Sequence, residues 1–437
     1  MAAERLRGTL ELAADKSIAH RALLFSAMGA GTAEITIREP GADVLSMAAA
    51  MGTLGAATRL EDRAGAHVYR VTGGSTAGTT ARAALPGSAP TTLDCGNSGT
   101  MMRLLIGAAT TRAGTTTLTG DSSLSARPME RVAAPLRSAG ASIESTDGHA
   151  PVHISPTPIT AHAHVLPVSS AQIVGALTLA AVAAPGTTTI VTPGPTRDHT
   201  ERMLAWLGAD IRREGTTTTL TGPTTWQNRD IDVPADPSGA AFWLVAGAIH
   251  PDAAITMPNV GLNPTRIGVI RVLERMGAKV ESIAAATRGP EPAGDLVIRS
   301  GARLNAIHLG AEDVADVIDE LPVLAIAMAA AEGTSTVRGA SELRVKESDR
   351  IDLTVRGLRQ LGIDVVEHPD GWDITGRPVD LAAAHSTPPT IHTEGDHRIA
   401  MAFAIADLAG VGACTVDDPA CAAVSYPTFF DHLESLR

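Results

Sequence analysis

Leu177-Thr178-Leu179-Ala180-Ala181-Val182-Ala183-Ala184-Pro185-Gly186-Thr187-Thr188-Thr189-Ile190-Val191 holds the pattern that decides the fold. An Ala-rich helical run stops at a Pro-Gly turn and gives way to Thr, Ile and Val. Glycine suits the position just past a helix end, because it enters the left-handed region without a Cβ clash. The β-branched run after it reads as a strand. The same helix, small-residue turn and strand recur at Gly29-Ala30-Gly31-Thr32, Ala113-Gly114-Thr115-Thr116, Pro251-Asp252-Ala253, Glu332-Gly333-Thr334 and Gly410-Val411-Gly412. The spacing, roughly 65–85 residues, is too long for a solenoid and suits a small supersecondary unit.

Working outward, a second helix follows in most units and ends in a shared phrase. The phrases are Leu54-Gly55-Ala56, Ala139-Gly140-Ala141, Leu207-Gly208-Ala209, Met276-Gly277-Ala278 and Leu361-Gly362-Ile363. Each leads into another strand candidate, such as Ser142-Ile143-Glu144 or Lys279-Val280-Glu281. A unit is therefore strand, helix, strand, helix, strand, with room for one strand more. Six units in 437 residues divide as three plus three, which fits two domains. The Pro-rich Val233-Pro234-Ala235-Asp236-Pro237 is the expected crossing point. Asp62–Gly87 and Gly222–Asp230 read as loops or weak hairpins.

Composition narrows the function classes. The chain is 44% hydrophobic with 3% aromatic residues, so its core is Ala, Val, Leu and Ile. The longest apolar run, Leu321–Ala331, falls far short of the ~20 residues that span a bilayer, so no membrane partner is expected. Met1–Leu12 carries Glu4, Arg5, Arg7 and Glu11 and has no apolar core, so no signal peptide is read. Cys95, Cys414 and Cys421 are odd in number and lack metal-site spacing, which points to a reducing cytoplasm and no zinc. A net charge of −12 argues against nucleic acid. Only Lys16, Lys279 and Lys346 among 35 basic residues are lysine. At Lys16 and Lys346, which fall in charged clusters, a compact ammonium fits where arginine's flat fork would not, while Lys279 reads as a charge at a helix C-terminus.

Polar residues gather at helix starts. Cap signatures stand at Asp15-Lys16-Ser17, Gly96-Asn97-Ser98-Gly99, Ser169-Ser170, Asp236-Pro237-Ser238, Ile318-Asp319-Glu320 and Asp396-His397. Second helices begin similarly at Ser125-Ala126-Arg127-Pro128, with Pro at the first helical position, and at Arg197-Asp198 and Ser348-Asp349. Singly, each is a cap beside an exposed charge. Together they repeat an arrangement that the helix dipole disfavours, with cations at Lys16, Arg21, Arg103, Arg127, Arg197, Lys346, Arg350 and Arg398 near N-termini. Such cations need anions, and the expected anions are those of a substrate. Gly99 before Thr100 would let backbone approach a phosphate.

Asp319, Glu320 and Glu347 sit among these cations. Carboxylates beside anionic substrates are unfavourable unless they handle protons. Capping is the plain alternative, stronger for Asp319 than for Glu347. His20, His199 and His397 border the clusters without metal-ligand spacing and read as structural or as supports behind the site residues. The run Arg344-Val345-Lys346-Glu347-Ser348-Asp349-Arg350 carries both signs, as a solvated loop also would.

These clusters resemble the enolpyruvyl transferases, nearly end to end. Asp15-Lys16-Ser17-Ile18-Ala19-His20-Arg21-Ala22 looks like the family's N-terminal motif. Gly96-Asn97-Ser98-Gly99-Thr100-Met101-Met102-Arg103, Arg344 to Arg350, and Asp396-His397-Arg398-Ile399-Ala400-Met401 match three more in order. Arg197-Asp198-His199-Thr200-Glu201 and Asp319-Glu320-Leu321-Pro322 look like its class II branch. The resemblance implies an α/β fold (α+β) described as a two-domain inside-out α/β barrel. Each domain would have three βαβαββ units about a pseudo-threefold axis, with the active site in the cleft between domains. It divides the chain into 15–234 and 1–14 plus 235–437. It also implies transfer of the enolpyruvyl group of phosphoenolpyruvate to the 5-hydroxyl of shikimate 3-phosphate by addition–elimination; a cytoplasmic monomer is expected. No metal or organic cofactor is implied.

Carried over residue by residue, Lys16 would touch both substrates. Ser17, Arg21, Ser169, Ser170, Arg197 and Lys346 would hold shikimate 3-phosphate, and Gln172 would lie between the ligands. Gly99, Arg127, Arg350 and Arg398 would hold phosphoenolpyruvate. Asp319 would be the base for the attacking hydroxyl and Glu347 the proton donor to the methylene. Five positions depart from the pattern. Val424 stands where some members have Lys, Glu342 where some have Asn, Ala14 where Gly is usual, and Val174-Gly175 where class II members often have Lys-Ser. A sister reading, transfer to UDP-N-acetylglucosamine, expects a Cys in the loop before Arg127-Pro128. Gly120 to Ala126 has none. A non-enzymatic scaffold would have no need of Glu347 among the cations.

Overall fold

The computed structural model describes residues 4–63, 65–74, 82–301, 303–379, 381 and 388–437. The chain folds into two compact units. One, here the N-terminal unit, comprises 14–233 with 287–291; the other, the C-terminal unit, comprises 1–13, 234–286 and 292–437. Nothing in the sequence marks 287–291 for the N-terminal unit.

In the N-terminal unit the helices are α1 (Lys16–Met28), α2 (Ala42–Thr53), α3 (Gly99–Ala109), α4 (Ser122–Ser125), α5 (Glu130–Ser138), α6 (Ala171–Ala181) and α7 (His199–Leu207). Three four-stranded sheets surround them. In the middle sheet, Thr91–Asp94 pairs parallel with Thr116–Thr119, which pairs antiparallel with His149–Ser155, which pairs antiparallel with Ser142–Thr146. The parallel pair is joined through α3, because a parallel connection needs a crossover, and the last two strands form a hairpin. This is one βαβαββ unit. The first unit takes its leading strand from the far end of the segment: Ile231–Asp232 pairs parallel with Thr32–Arg38, Ile231 opposite Ile35.

The C-terminal unit holds α8 (Pro237–Ile249), α9 (Gly268–Arg275), α10 (Ala311–Val317), α11 (Leu321–Ala330), α12 (Arg350–Gln360), α13 (His397–Leu408) and α14 (Phe429–Ser435). Its first sheet is led by Leu6–Thr9, parallel to Ala253–Gly261 with Leu6 opposite Ala253. The last repeat departs from the expected βαβαββ pattern. Its strands Thr390–Ile391 and Thr415–Val416 form a two-stranded sheet, and a 3₁₀ turn (Pro419–Val424) and α14 follow in place of a hairpin. Residues 380 and 382–387 lie outside the description there.

The long helices are inside and the sheets outside; the strands form separate sheets rather than one closed barrel. In α11 all ten residues are buried, as expected of a helix apolar on every side. Each unit has its own apolar cluster, one built on α1, α3 and α6 and the other on α8, α11 and α13. The Gly of each shared phrase ends its helix left-handed: φ is 72° at Gly55, 103° at Gly140, 101° at Gly208, 104° at Gly277 and 72° at Gly362. Gly29 differs. It is extended (φ −76°), and a Cβ there would lie 2.3 Å from Asn228 Oδ1 and 2.5 Å from Trp226 Nε1.

Gly222–Asp230 is largely loop, as its sequence reads, and these two side chains anchor it. Trp226 Nε1 donates to Phe25 O at 3.0 Å, and Asn228 Nδ2 donates to Ser26 O at 2.7 Å. They thereby satisfy carbonyls at the C-terminus of α1. Within Asp62–Gly87, Ala57–Arg63 and Ala66–Thr72 form an antiparallel hairpin, while residues 64 and 75–81 lie outside the description. So do residues 1–3 of the N-terminal stretch.

Candidate active site

Four helix starts meet in the N-terminal unit. Asp15 caps α1 by accepting from Ser17 N and Ile18 N, Ser98 caps α3 at Met101 N, and Ser170 caps α6 at Ile173 N. Side chains then tie the starts together. His20, buried on α1, bonds to the Lys16 carbonyl and, through Nε2, to Ser98 Oγ at 3.0 Å. Arg21 reaches from α1 to α7, with Nε on Thr200 Oγ1 at 2.9 Å and Nη1 on Ser17 O at 2.9 Å. Arg103 of α3 donates to Gln172 Oε1 of α6 at 2.7 Å, and Gln172 Nε2 returns to Thr100 Oγ1 at 3.0 Å. Arg127 donates to Asn97 Oδ1 at 2.8 Å and Ser123 Oγ at 3.2 Å.

Gly99 sits between two of these cations. A Cβ there would lie 3.3 Å from Arg103 Nη1 and 3.4 Å from Arg127 Nη1. The structure thus brings Ser17, Arg21, Gly99, Arg127, Gln172 and Lys16 into one neighbourhood through named bonds. Ser169 precedes the α6 cap Ser170, and a Cβ on Gly194 would lie 3.0 Å from its Oγ. Arg197 precedes the α7 cap Asp198 and acts electrostatically on Arg21. Burial brings the Arg21 guanidinium down to about 10, partly offset by Glu201, Asp15 and Glu291. A bound anion would restore its charge preference.

The C-terminal unit gathers a second group where α11, α12 and α13 begin. Asp319 does not cap α11, contrary to the capping alternative: the cap position is Glu320, without a side-chain bond. Asp319 Oδ1 lies 3.7 Å from Lys346 Nζ and 3.8 Å from Arg350 Nη1. Arg350 is 1% exposed; its Nε contacts Asp396 Oδ2 at 2.8 Å and its Nη2 contacts Glu347 Oε2 at 2.6 Å. Arg398 Nη1 donates to the Asp319 carbonyl at 2.8 Å and stands 3.6 Å from Glu320 Oε1. Among the described residues the Nε–Nη2 edge of Arg398 has no partner.

These contacts correct one inference from sequence. The cations at the helix starts do not all await substrate anions. Lys16 has Asp43 at 3.3 Å, Arg350 has Asp396 and Glu347, and Arg398 has Glu320. Sequence reading missed Asp43 altogether, because a partner 27 residues away on the next helix leaves no local pattern. Pro128 is not the first helical residue: α5 begins at Glu130, with Met129 at its cap. Of the histidines, His199 Nδ1 pairs with Glu291 Oε1 at 2.9 Å, tying 287–291 into the N-terminal unit. Among the described residues no cluster of His, Cys, Asp and Glu could hold a metal.

The departures from pattern also find places. Ala14 is 6% exposed and packs in the core of the N-terminal unit. At Gly175 a Cβ would lie 2.9 Å from Leu104 Cδ2 and 3.0 Å from Thr200 Oγ1, so the serine common elsewhere would crowd both side chains here. Val424 ends its 3₁₀ turn, and the next residue, Ser425, lines a 10 Å³ cavity with Asp236, Ser238 and Arg398. Glu342 is exposed.

Comparison with known proteins adds the following. Residues 1–433 match the family model described as EPSP synthase (3-phosphoshikimate 1-carboxyvinyltransferase). The 3-phosphoshikimate 1-carboxyvinyltransferase of Parasynechococcus marenigrum (strain WH8102) is 42% identical over 439 residues, covering 99% of this chain and 96% of the relative. That of Chloroflexus aggregans (strain MD-66 / DSM 9485) is 41% identical over 441 residues, covering 100% and 98%. Among solved structures, EPSP synthase from Acinetobacter baumannii superposes with a TM-score of 0.84 at 38% identity, covering 99% of this chain and 96% of that one. The enolpyruvyl transferase NikO from Streptomyces tendae gives 0.75 at 20% identity, covering 100% and 96%, a likeness of fold.

Proposed function

The chain belongs to the EPSP synthase (3-phosphoshikimate 1-carboxyvinyltransferase) family, and on that premise we propose how its residues divide the chemistry. The reaction is transfer of the enolpyruvyl group of phosphoenolpyruvate to the 5-hydroxyl of shikimate 3-phosphate, with release of phosphate. Two phosphates and two carboxylates have to be held. In our reading Ser17, Arg21, Ser169, Ser170, Arg197 and Lys346 hold shikimate 3-phosphate. Gly99, Arg127, Arg350 and Arg398 hold phosphoenolpyruvate, and Lys16 and Gln172 serve both. Asp319 takes the proton of the attacking hydroxyl, and Glu347 protonates the methylene carbon as C2 is attacked. The tetrahedral adduct then loses phosphate.

The observation that carries this is the guanidinium of Arg398. One nitrogen is fixed against the Asp319 carbonyl, and the opposite edge presents two parallel N–H donors without a protein acceptor among the described residues. That fork matches a carboxylate. A carboxylate held by that fork would lie near Asp319, the residue read as the base. The Arg350 fork is occupied by Asp396 and Glu347, so Arg350 offers only Nη1. The thiols of Cys95, Cys414 and Cys421 are free, which supports a reducing cytoplasm, and among the described residues no helix is long and apolar enough to cross a membrane.

Phosphate release with phosphoenolpyruvate and either acceptor tests the reading. Release with shikimate 3-phosphate and none with UDP-N-acetylglucosamine is expected. The reverse would assign the sister activity, and release with neither, from folded protein, would leave a scaffold.

A further inference from the structure

We propose that Glu320 is a positioning residue for Arg398, aimed by Ser238 and Arg266. This rests on the reading of Arg398 as a holder of the phosphoenolpyruvate carboxylate. Glu320 stands at the cap position of α11 yet makes no capping bond, and it is 3% exposed. A carboxylate in that place that leaves the helix N–H groups alone is committed elsewhere.

Its commitment can be followed donor by donor. Arg266 Nη2 donates to Asp236 Oδ1 at 2.8 Å and to Ser238 Oγ at 2.9 Å. A guanidinium cannot accept, so the Ser238 oxygen is the acceptor in that bond. The single Ser238 O–H is therefore left to donate to Glu320 Oε1, its other buried neighbour. The direction Arg266 to Ser238 to Glu320 follows without seeing a hydrogen atom. Ser238 is 4% exposed and Arg266 5%, so water does not compete. The start of α8 is pinned as well, since Asp236 Oδ1 also caps it at Ser238 N, 2.8 Å away.

Glu320 Oε1, so oriented, lies 3.6 Å from Arg398 Nη1, which also donates to the Asp319 carbonyl. Nη1 is thus held from two sides, and the plane of the guanidinium is set with its Nε–Nη2 edge turned away from Glu320. Two effects of Glu320 on anion binding oppose each other. Its charge offsets that of Arg398 and weakens binding, while its position aligns the fork and strengthens it. Because bidentate recognition depends on the orientation of the fork, alignment dominates.

The test compares KM for phosphoenolpyruvate in phosphate-release assays of Glu320→Ala, Glu320→Gln, Arg398→Ala and the double variant Glu320→Ala/Arg398→Ala. Glu320→Ala should raise KM about tenfold, a size usual for coupled neighbours. Glu320→Gln keeps an oxygen for both Ser238 and Arg398 and should restore most of the loss. The double variant should be no worse than Arg398→Ala alone. An unchanged or lowered KM in Glu320→Ala, or independent losses that multiply in the double variant, overturns the proposal. If Arg398→Ala itself leaves KM unchanged, it is the assignment of Arg398 that fails. Should Glu320→Ala not fold, Ser238→Ala carries the test: a raised KM supports the alignment and an unchanged one overturns it.

Discussion

Arg350 donates through Nε to Asp396 Oδ2 at 2.8 Å, while Asp396 Oδ1 caps α13 at the backbone N–H of Arg398, 2.9 Å away. One carboxylate therefore ties the start of α12 to the start of α13. Burial works against charge on both partners, and each reverses the effect for the other. Asp396, followed by Glu347, holds the Arg350 guanidinium above its ordinary range. Arg350, followed by His397, holds the Asp396 carboxyl below its own. Ser348 Oγ adds a bond to Asp396 Oδ2 at 2.9 Å. The arrangement orients both Glu347 and Arg398, the residues proposed to protonate and hold phosphoenolpyruvate.

Asp396→Asn keeps an oxygen for the cap but removes the charge opposite a fully buried guanidinium. Breaking such a pair should cost about 3 kcal/mol, roughly 6–12 °C in Tm for the unit. KM for phosphoenolpyruvate should rise as well, because the start of α13 carries Arg398. A variant with wild-type Tm in calorimetry would show the pair to be dispensable.

Repetition made the fold legible. Gly55, Gly140, Gly208, Gly277 and Gly362 all adopt the positive φ that only glycine takes without strain, so backbone geometry is written directly into residue type. The caps at Asp15, Ser98, Asp236 and Asp396 were legible for the same reason, since each acts within three residues of itself. Contacts between distant segments were not. Lys16 with Asp43, Arg103 with Gln172, and Arg266, in the turn before α9, with Ser238 join segments whose approach no local pattern encodes. The short last repeat was hidden too, because Gly410-Val411-Gly412 imitates the other turns while a two-residue strand follows. Asp319 shows the limit of local reading: it has the right type and place for a cap, and its side chain faces Lys346 and Arg350 instead.

Glu347→Gln separates position from proton transfer. The amide oxygen can still accept from Arg350 Nη2, which Glu347 Oε2 meets at 2.6 Å, so the loop should stay in place. Only the capacity to deliver a proton is lost. In steady-state assays kcat should fall about 10²–10⁴-fold, with both KM values near wild type. An unchanged kcat would remove Glu347 from the proton transfer.

Gly175→Ser introduces a Cβ within 2.9 Å of Leu104 Cδ2 and 3.0 Å of Thr200 Oγ1. Overpacking of this kind costs about 1–3 kcal/mol. Thr200 also anchors Arg21 Nε, so displacing it should raise KM for shikimate 3-phosphate more than KM for phosphoenolpyruvate. Equal changes in the two KM values would mean that the strain spreads through the unit instead of passing to Arg21.

His20 gives the N-terminal unit a dependence on pH. Burial, chiefly, lowers its imidazole below the ordinary range; Lys16 and Arg21 push the same way, while Asp43 and the Lys16 carbonyl pull against them. The unfolded chain therefore takes up a proton near pH 6.5 that the folded chain still refuses. Unfolding binds protons there, so stability rises with pH through this window and is lost as pH falls below about 6.5. The local chemistry agrees. With Nδ1 bonded to the Lys16 carbonyl, neutral His20 accepts at Nε2 from Ser98, and a second ring proton forces that hydroxyl to turn. Urea unfolding at pH 7.5, 6.5 and 5.5 should show wild type losing stability on acidification more steeply than His20→Gln, whose side chain does not titrate. Equal slopes for the two proteins would show that His20 is not the group responsible.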